Sequence, residues 1–166
     1  MGGGPVVSLA LWHQPVRGTE RRTYEAGFRN GPLTRPHPSV RSVVTYRVFG
    51  PDWGLGLPTY LTWYVLNSFA AIEHLGRRVS VPRCSDNPAI PTEKWRWTIL
   101  IHRFGPAVPP RSGFATWETS VKPTREAGSV WERLIVALDE PNVCRWDEYL
   151  PGSTTGVPVR HEAISL

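Results

Sequence analysis

Residues 54–72 contain no charged side chain and read Gly-Leu-Gly-Leu-Pro-Thr-Tyr-Leu-Thr-Trp-Tyr-Val-Leu-Asn-Ser-Phe-Ala-Ala-Ile. Pro58 stands where a helix can begin, and Gly76 follows where one can end. The apolar residues would lie on every side of that helix, which is typical of a helix buried in a protein core or in a membrane. The stretch therefore predicts a central buried helix over about 58–75, with a single membrane-spanning helix at the same residues as the alternative.

The sequence on both sides of this stretch indicates β-strands. Residues 43–49 are β-branched and aromatic, with Val44, Tyr46 and Val48 expected on one face and Thr45 and Arg47 on the other. Residues 95–104 alternate apolar and polar side chains, which predicts a strand with its tryptophans toward the core and its polar residues outward. Residues 113–121 give a weaker strand signal.

A second helix is predicted over residues 126–139. Ser129 and Glu132 have the spacing of a capping box, and an apolar stripe at helical spacing follows them. With the strands, these elements predict an α+β domain over residues 43–140, in which two helices cover a small antiparallel sheet.

The two ends of the chain are predicted to be extensions of that domain. Residues 1–42 hold prolines that interrupt any helix and six arginines against two glutamates, which indicates an extended basic arm. Residues 141–166 are punctuated by proline and glycine and are predicted to form a C-terminal tail.

Composition excludes several classes of protein. The chain has 166 residues with 17 Pro, 15 Gly and 8 Trp, and its basic residues are 17 Arg and 2 Lys. The absence of a Gly-X-Y period excludes collagen, the frequent prolines exclude a coiled coil, and the tryptophan content argues against a wholly disordered chain. The length fits one domain, and the formal charge of +5 makes nucleic acid a partner to consider.

The motifs of common enzymes and metal sites do not occur. The five histidines are not paired with one another or with cysteine at a metal-ligand spacing, and neither a nucleophile elbow nor a P-loop is present. Cys84 and Cys144 lie 60 residues apart and are expected to be reduced thiols. We therefore expect a protein that is not an enzyme and that has no cofactor and no metal ion.

The function that fits this composition is a structural or accessory subunit of a large macromolecular assembly. Tryptophan and arginine are enriched at interface hot spots, and this chain is rich in both. Protein subunits of the complex are the expected partners, and a membrane is a further one if residues 58–75 span it. The predicted partner-binding residues are those of the arm and the tail, namely Trp12, Arg21, Arg22, Tyr24, Arg35, Trp146 and Tyr149.

The alternative function is RNA binding through a basic sheet face. Arginine binds phosphate and stacks on bases, so a polar outer face of the two predicted strands would follow a nucleic-acid backbone. The residues of that face are Arg47, Arg96, Thr98 and His102.

No basic region precedes the apolar residues 6–12, so we expect an intracellular protein that is not secreted. The compartment stays open between mitochondrion, membrane and a particle such as a virion.

Overall fold

The computed structural model describes residues 5–29, 38–49, 59–73, 92–119, 128–134, 141–149, 151–152 and 158–164, with the backbone alone at residues 28 and 92–96. The strands in this part of the chain form a closed antiparallel barrel in the order β1-β3-β2-β8-β5-β7-β6-β4. They are β1 (Val7–Pro15), β2 (Val40–Phe49), β3 (Thr59–Leu66), β4 (Thr92–Phe104), β5 (Ser112–Glu118), β6 (Ser129–Arg133), β7 (Val143–Asp147) and β8 (Pro158–Ala163). One helix, α1 (Arg21–Arg29), lies between β1 and β2.

The predicted α+β domain with two covering helices is wrong, and the uncharged stretch explains why. Residues 59–66 form strand β3, not a helix. Leu61, Trp63 and Val65 belong to the core inside the barrel, while Tyr60 and Tyr64 on the opposite face are buried as well. A strand buried on both faces is apolar without alternation, so its sequence resembles that of a buried helix.

Because residues 59–66 are a strand, the chain does not form the continuous helix over 58–75 that the membrane-spanning alternative requires. Beyond the end of β3, residues 70–73 form a single helical turn. Within the described ranges, no helix combines the length and the apolar character that crossing a bilayer requires.

The second predicted helix, over residues 126–139, is wrong because residues 129–133 form strand β6; residues 126–127 and 135–139 lie outside the described residues. Ser129 does not cap a helix: its hydroxyl donates to the carbonyl oxygen of Pro106 at 2.7 Å and accepts from the indole Nε1 of Trp131 at 2.6 Å. Trp131 is fully buried in the barrel core. Val130 and Trp131, which belonged to the apolar stripe of the predicted helix, instead lie on the two faces of a strand, and both are buried.

The arm and the tail are not extensions, because both contribute strands to the barrel. From residues 1–42, β1 pairs with β3 on one side and with β4 on the other. From residues 141–166, β8 pairs with β2 and β5, and β7 pairs with β5 and β6. These strands cover edges that the central strands would otherwise leave open, which is how a barrel avoids unpaired backbone groups.

The three predicted strands are present. Residues 43–49 lie within β2, residues 95–104 lie within β4, and residues 113–121 overlap β5. The faces of β2 are also as predicted, since Tyr46 is in the core and Arg47 is on the outside. The faces of β4 are reversed: Leu100 packs in the core, whereas Trp97 points outward and is 53% exposed.

Aromatic side chains fill the barrel. Trp63 contacts Trp131 and Trp146 edge-to-face, with ring centroids 5.3 and 5.5 Å apart, and Tyr46 lies 4.9 Å from Trp146. All four rings are buried. An eight-stranded barrel is just wide enough for side chains to fill, so these rings form a packed core.

We expect Trp63→Ala to lower the free energy of unfolding by about 3–5 kcal/mol, because it removes a large buried ring and leaves a cavity. The matched control is Trp97→Ala, which removes the same side chain from the surface and should change that free energy by no more than about 0.5–1 kcal/mol. Urea denaturation followed by far-UV circular dichroism measures both. Equal losses in the two variants would contradict the placement of these tryptophans.

Candidate functional site

Helix α1 packs against the outside of the barrel, over β1, β2 and β3. The chain reaches it through a turn at Gly18, whose positive φ of 89° favours glycine. Tyr24 and Glu25 on the buried side of the helix face Tyr60 of β3, with the Tyr24 and Tyr60 ring centroids 5.0 Å apart. The helix therefore brings one tyrosine and one carboxylate onto the outer surface of the sheet.

Glu25 is the centre of a charged network on this face, which we call the Glu25 cluster and define as Arg21, Glu25, Arg29, Arg47 and Tyr60. Arg47 of β2 donates from Nε and Nη2 to the two carboxylate oxygens, each at 2.7 Å. Arg21 donates at 3.0 Å and the Tyr60 hydroxyl at 3.1 Å, and Arg29 lies 3.7 Å away. These hydrogen bonds, led by that of Arg47, hold the pKa of the Glu25 carboxyl at about 2.

His13 lies beside this cluster and is buried under α1. Its Nδ1 is 2.7 Å from the Tyr24 hydroxyl and its Nε2 is 2.9 Å from the Thr62 hydroxyl. The imidazole also stacks on the ring of Tyr60 at 5.8 Å. Burial lowers the pKa of His13 to about 3, so the ring is neutral near pH 7 and can donate through one nitrogen and accept through the other.

Among the described residues, Glu25, His13 and Cys144 are of the types that serve as acid, base or nucleophile, and each is held by hydrogen bonds or buried in the core. The Glu25 carboxylate is surrounded by arginines, and both ring nitrogens of His13 have partners. The thiol of Cys144 is buried in the core, and burial raises its pKa. General acid–base catalysis needs a pKa near the working pH, which neither Glu25 nor His13 has. Among the described residues, no cluster of His, Cys, Asp and Glu could hold a metal ion.

The predicted partner-binding residues fall into two groups. Tyr24 and Trp146 are fully buried, and Trp12 is half-buried inside the barrel with its ring centroid 5.2 Å from that of Trp117. Exposed members are Arg21, Arg22 and Tyr149. Arg35 lies outside the described residues. The structure does not bring the exposed members together with the buried ones on one surface.

The predicted nucleic-acid face is divided between the two sides of the barrel wall. Arg47 lies on the outside, in the Glu25 cluster. Thr98 is buried and accepts a hydrogen bond from Arg133 at 2.9 Å, and the His102 ring packs on the core residue Trp131. Arg96 lies opposite Trp12 in the β1–β4 pairing, and its side chain is outside the described residues.

An apolar surface that the sequence reasoning missed lies on the outside of β1 and β4. We call it the Trp97 patch and define it as Leu11, Trp97, Ile99 and Leu134. Leu11 pairs with Trp97 across the two strands, and the backbone N–H of Leu134 donates to the carbonyl of Ile99 at 3.0 Å. Trp97 is 53% exposed and Leu134 is 41% exposed. An exposed tryptophan with apolar neighbours is typical of a contact surface.

One sequence signal could have revealed part of the Glu25 cluster. Arg21, Glu25 and Arg29 are spaced four residues apart, which is the spacing of ion pairs along a helix. The contact with Arg47 has no such signal, because it joins residues 22 positions apart on different elements.

We expect the stability of the chain to fall as the pH drops from about 6.5 to 5, because His13 and His161 are buried with pKa values near 3 and 4. In this range the unfolded chain takes up protons that the folded chain does not, at about 1.4 kcal/mol per pH unit for each group. His13→Gln should reduce the slope of the free energy of unfolding against pH by the contribution of one histidine. Urea denaturation at several pH values measures this slope.

Glu25→Gln is the matched control for that pH slope. It leaves the slope above about pH 5 unchanged, because the carboxyl titrates only below its unfolded value near 4.5. Below that value, the wild type also loses the stability that the ionised Glu25 carboxylate contributes, whereas the Gln variant loses only the contribution of the groups that both proteins share. A slope that stays the same in His13→Gln would contradict the neutral, buried histidine.

Comparisons with protein-family models, with curated proteins and with solved structures found no match to this chain. The geometry of the described residues is therefore the basis for the function proposed below.

Proposed function

We propose that the chain is a non-catalytic subunit of a larger assembly, and that it binds a neighbouring protein through the Trp97 patch. The single observation that carries this proposal is the 53% exposure of Trp97 on the outside of β4. The three tryptophans of the packed core, by contrast, are all buried. The same residue type therefore serves two different roles in one barrel.

The patch has the composition of an interface centre. Its four members are apolar, and Leu11 and Ile99 are half-buried beside Trp97 and Leu134. Interface centres are depleted in charge and enriched in tryptophan, because a large ring buries much apolar area with little loss of side-chain entropy. An ion pair on the same two strands that carry Ile99 and precede Leu134, Arg103 of β4 with Glu132 of β6 at 2.6 Å, is suited to the polar rim of such a contact.

The chemistry of the site supports a binding role over a catalytic one. Glu25 and His13, whose carboxylate and imidazole pKa values are the most strongly shifted among the described residues, hold α1 on the barrel. Both have their hydrogen-bonding atoms directed at protein partners. A group in that position stabilises the scaffold and cannot exchange protons with a substrate without breaking those bonds.

A photo-crosslinking amino acid at position 134 tests the contact in cells of the source organism. We expect a discrete covalent adduct with a different protein, since Leu134 lies at the edge of the patch. Adding Trp97→Ser should lower the adduct yield about tenfold or more, because truncating a hot-spot tryptophan costs about 2 kcal/mol or more of binding energy. Denaturation of the purified variant verifies that it remains folded.

The control places the same probe at Val108, which is 39% exposed, like Leu134, and lies between β4 and β5, outside the patch. Equal adducts from positions 134 and 108 would show that the adduct is not specific to the patch. An adduct at 134 that Trp97→Ser leaves unchanged, or one whose mass is that of two copies of this chain, would also overturn the proposal.

A further inference from the structure

We propose that the outer face of β2 and β8, with the adjoining arginines of α1, binds single-stranded nucleic acid. This surface, which we call the Phe49 stripe, consists of Arg21, Arg47, Phe49 and Arg160. It shares no residue with the Trp97 patch, so it is independent of the protein contact proposed above.

The stripe combines an exposed ring with an exposed cation. Phe49 pairs with Arg160 across β2 and β8, and the guanidinium carbon of Arg160 lies 5.3 Å from the centre of the Phe49 ring. The Phe49 residue is 43% exposed and the Arg160 side chain 61% exposed. An exposed aromatic ring beside arginine is the arrangement on which the bases of a single strand stack.

The Glu25 cluster continues this surface with excess positive charge. Arg47 lies two residues before Phe49 on the same face of β2, because side chains alternate along a strand. Arg21, Arg29, Arg47 and Arg160 face two carboxylates, Glu25 and Glu162, in the ion pairs of this surface. These four arginines and two carboxylates carry a net charge of +2, which the phosphates of a nucleic-acid backbone would neutralise.

The buried carboxylate fixes part of this charge in place. Glu25 is only 4% exposed and binds Arg47 through both oxygens, so the Arg47 side chain is ordered before any ligand arrives. Arg21 donates to the same carboxylate through Nε, and its side chain remains 54% exposed. A guanidinium has five N–H donors, and one that is already oriented loses less entropy when it binds phosphate.

The exposed ring favours nucleic acid over an acidic protein segment. Arginines alone would bind any polyanion, since a carboxylate satisfies the same donors. Phe49 adds a flat apolar face, which a base covers and an aspartate or glutamate side chain does not. Of the residues expected from the sequence to form a nucleic-acid face, only Arg47 belongs to this stripe.

Fluorescence anisotropy with labelled oligo-uridylate and oligo-thymidylate tests the proposal on the full chain. We expect both to bind, with an affinity that falls as salt rises. Phe49→Leu, which keeps an apolar side chain but removes the ring, should weaken binding about tenfold. Arg21→Gln and Arg160→Gln should each lower the slope of log affinity against log salt by about one. Arg103→Gln is the matched control, because Arg103 is exposed but lies on β4, paired with Glu132.

Three results would overturn the proposal. The first is the absence of binding at low salt, with circular dichroism verifying that the chain is folded. The second is an equal loss in Arg103→Gln, or no loss in Phe49→Leu, either of which would mean that the stripe is not the binding surface. The third is equal affinity for polyglutamate of the same charge or for a duplex, since neither offers unpaired bases to the ring.

Discussion

The closed barrel imposes one constraint on the whole chain: its interior must be filled by side chains from every strand. Trp63 of β3 meets Trp131 of β6 and Trp146 of β7 there edge-to-face, although β4 and β5 separate these strands in the sequence. Each large ring excludes water from the interior and fixes how the strands around it are placed. The first and last strands are needed for this closure. Strand β1 pairs with β3 and β4, and strand β8 pairs with β2 and β5.

Once the interior is filled, the outer face of β1, β2 and β3 becomes a second buried surface. Helix α1 covers it, and the residues beneath the helix are polar as well as aromatic. The Thr62 hydroxyl is hydrogen-bonded to the Thr45 hydroxyl at 2.8 Å and to Nε2 of His13. The Glu25 carboxylate accepts a hydrogen bond from Arg47. A buried polar group without a partner is costly, so these bonds select one position for the helix. These bonds account for a buried histidine on the sheet and a buried glutamate on the helix that covers it.

The two proposed binding surfaces follow from what these two cores leave outside. Trp97 is exposed because β4 directs Leu100 inward, and Phe49 is exposed because β2 directs Tyr46 inward. Alternation along a strand thus sends one ring to the core and another to the surface. The arginines of the Glu25 cluster stay on the outside because one buried carboxylate holds them there.

The sequence alone determined the elements whose signal is local. Strand β2 and the assignment of its faces follow from the alternation around Tyr46 and Arg47, since a half-buried strand repeats every two residues. Only the tertiary structure decided that β3 is a strand, because burial of both its faces removes that alternation. It also decided the faces of β4, the joining of both chain ends to the barrel, and the pairing of Glu25 with Arg47. Each of these depends on contacts between residues distant in the chain, which no local pattern records.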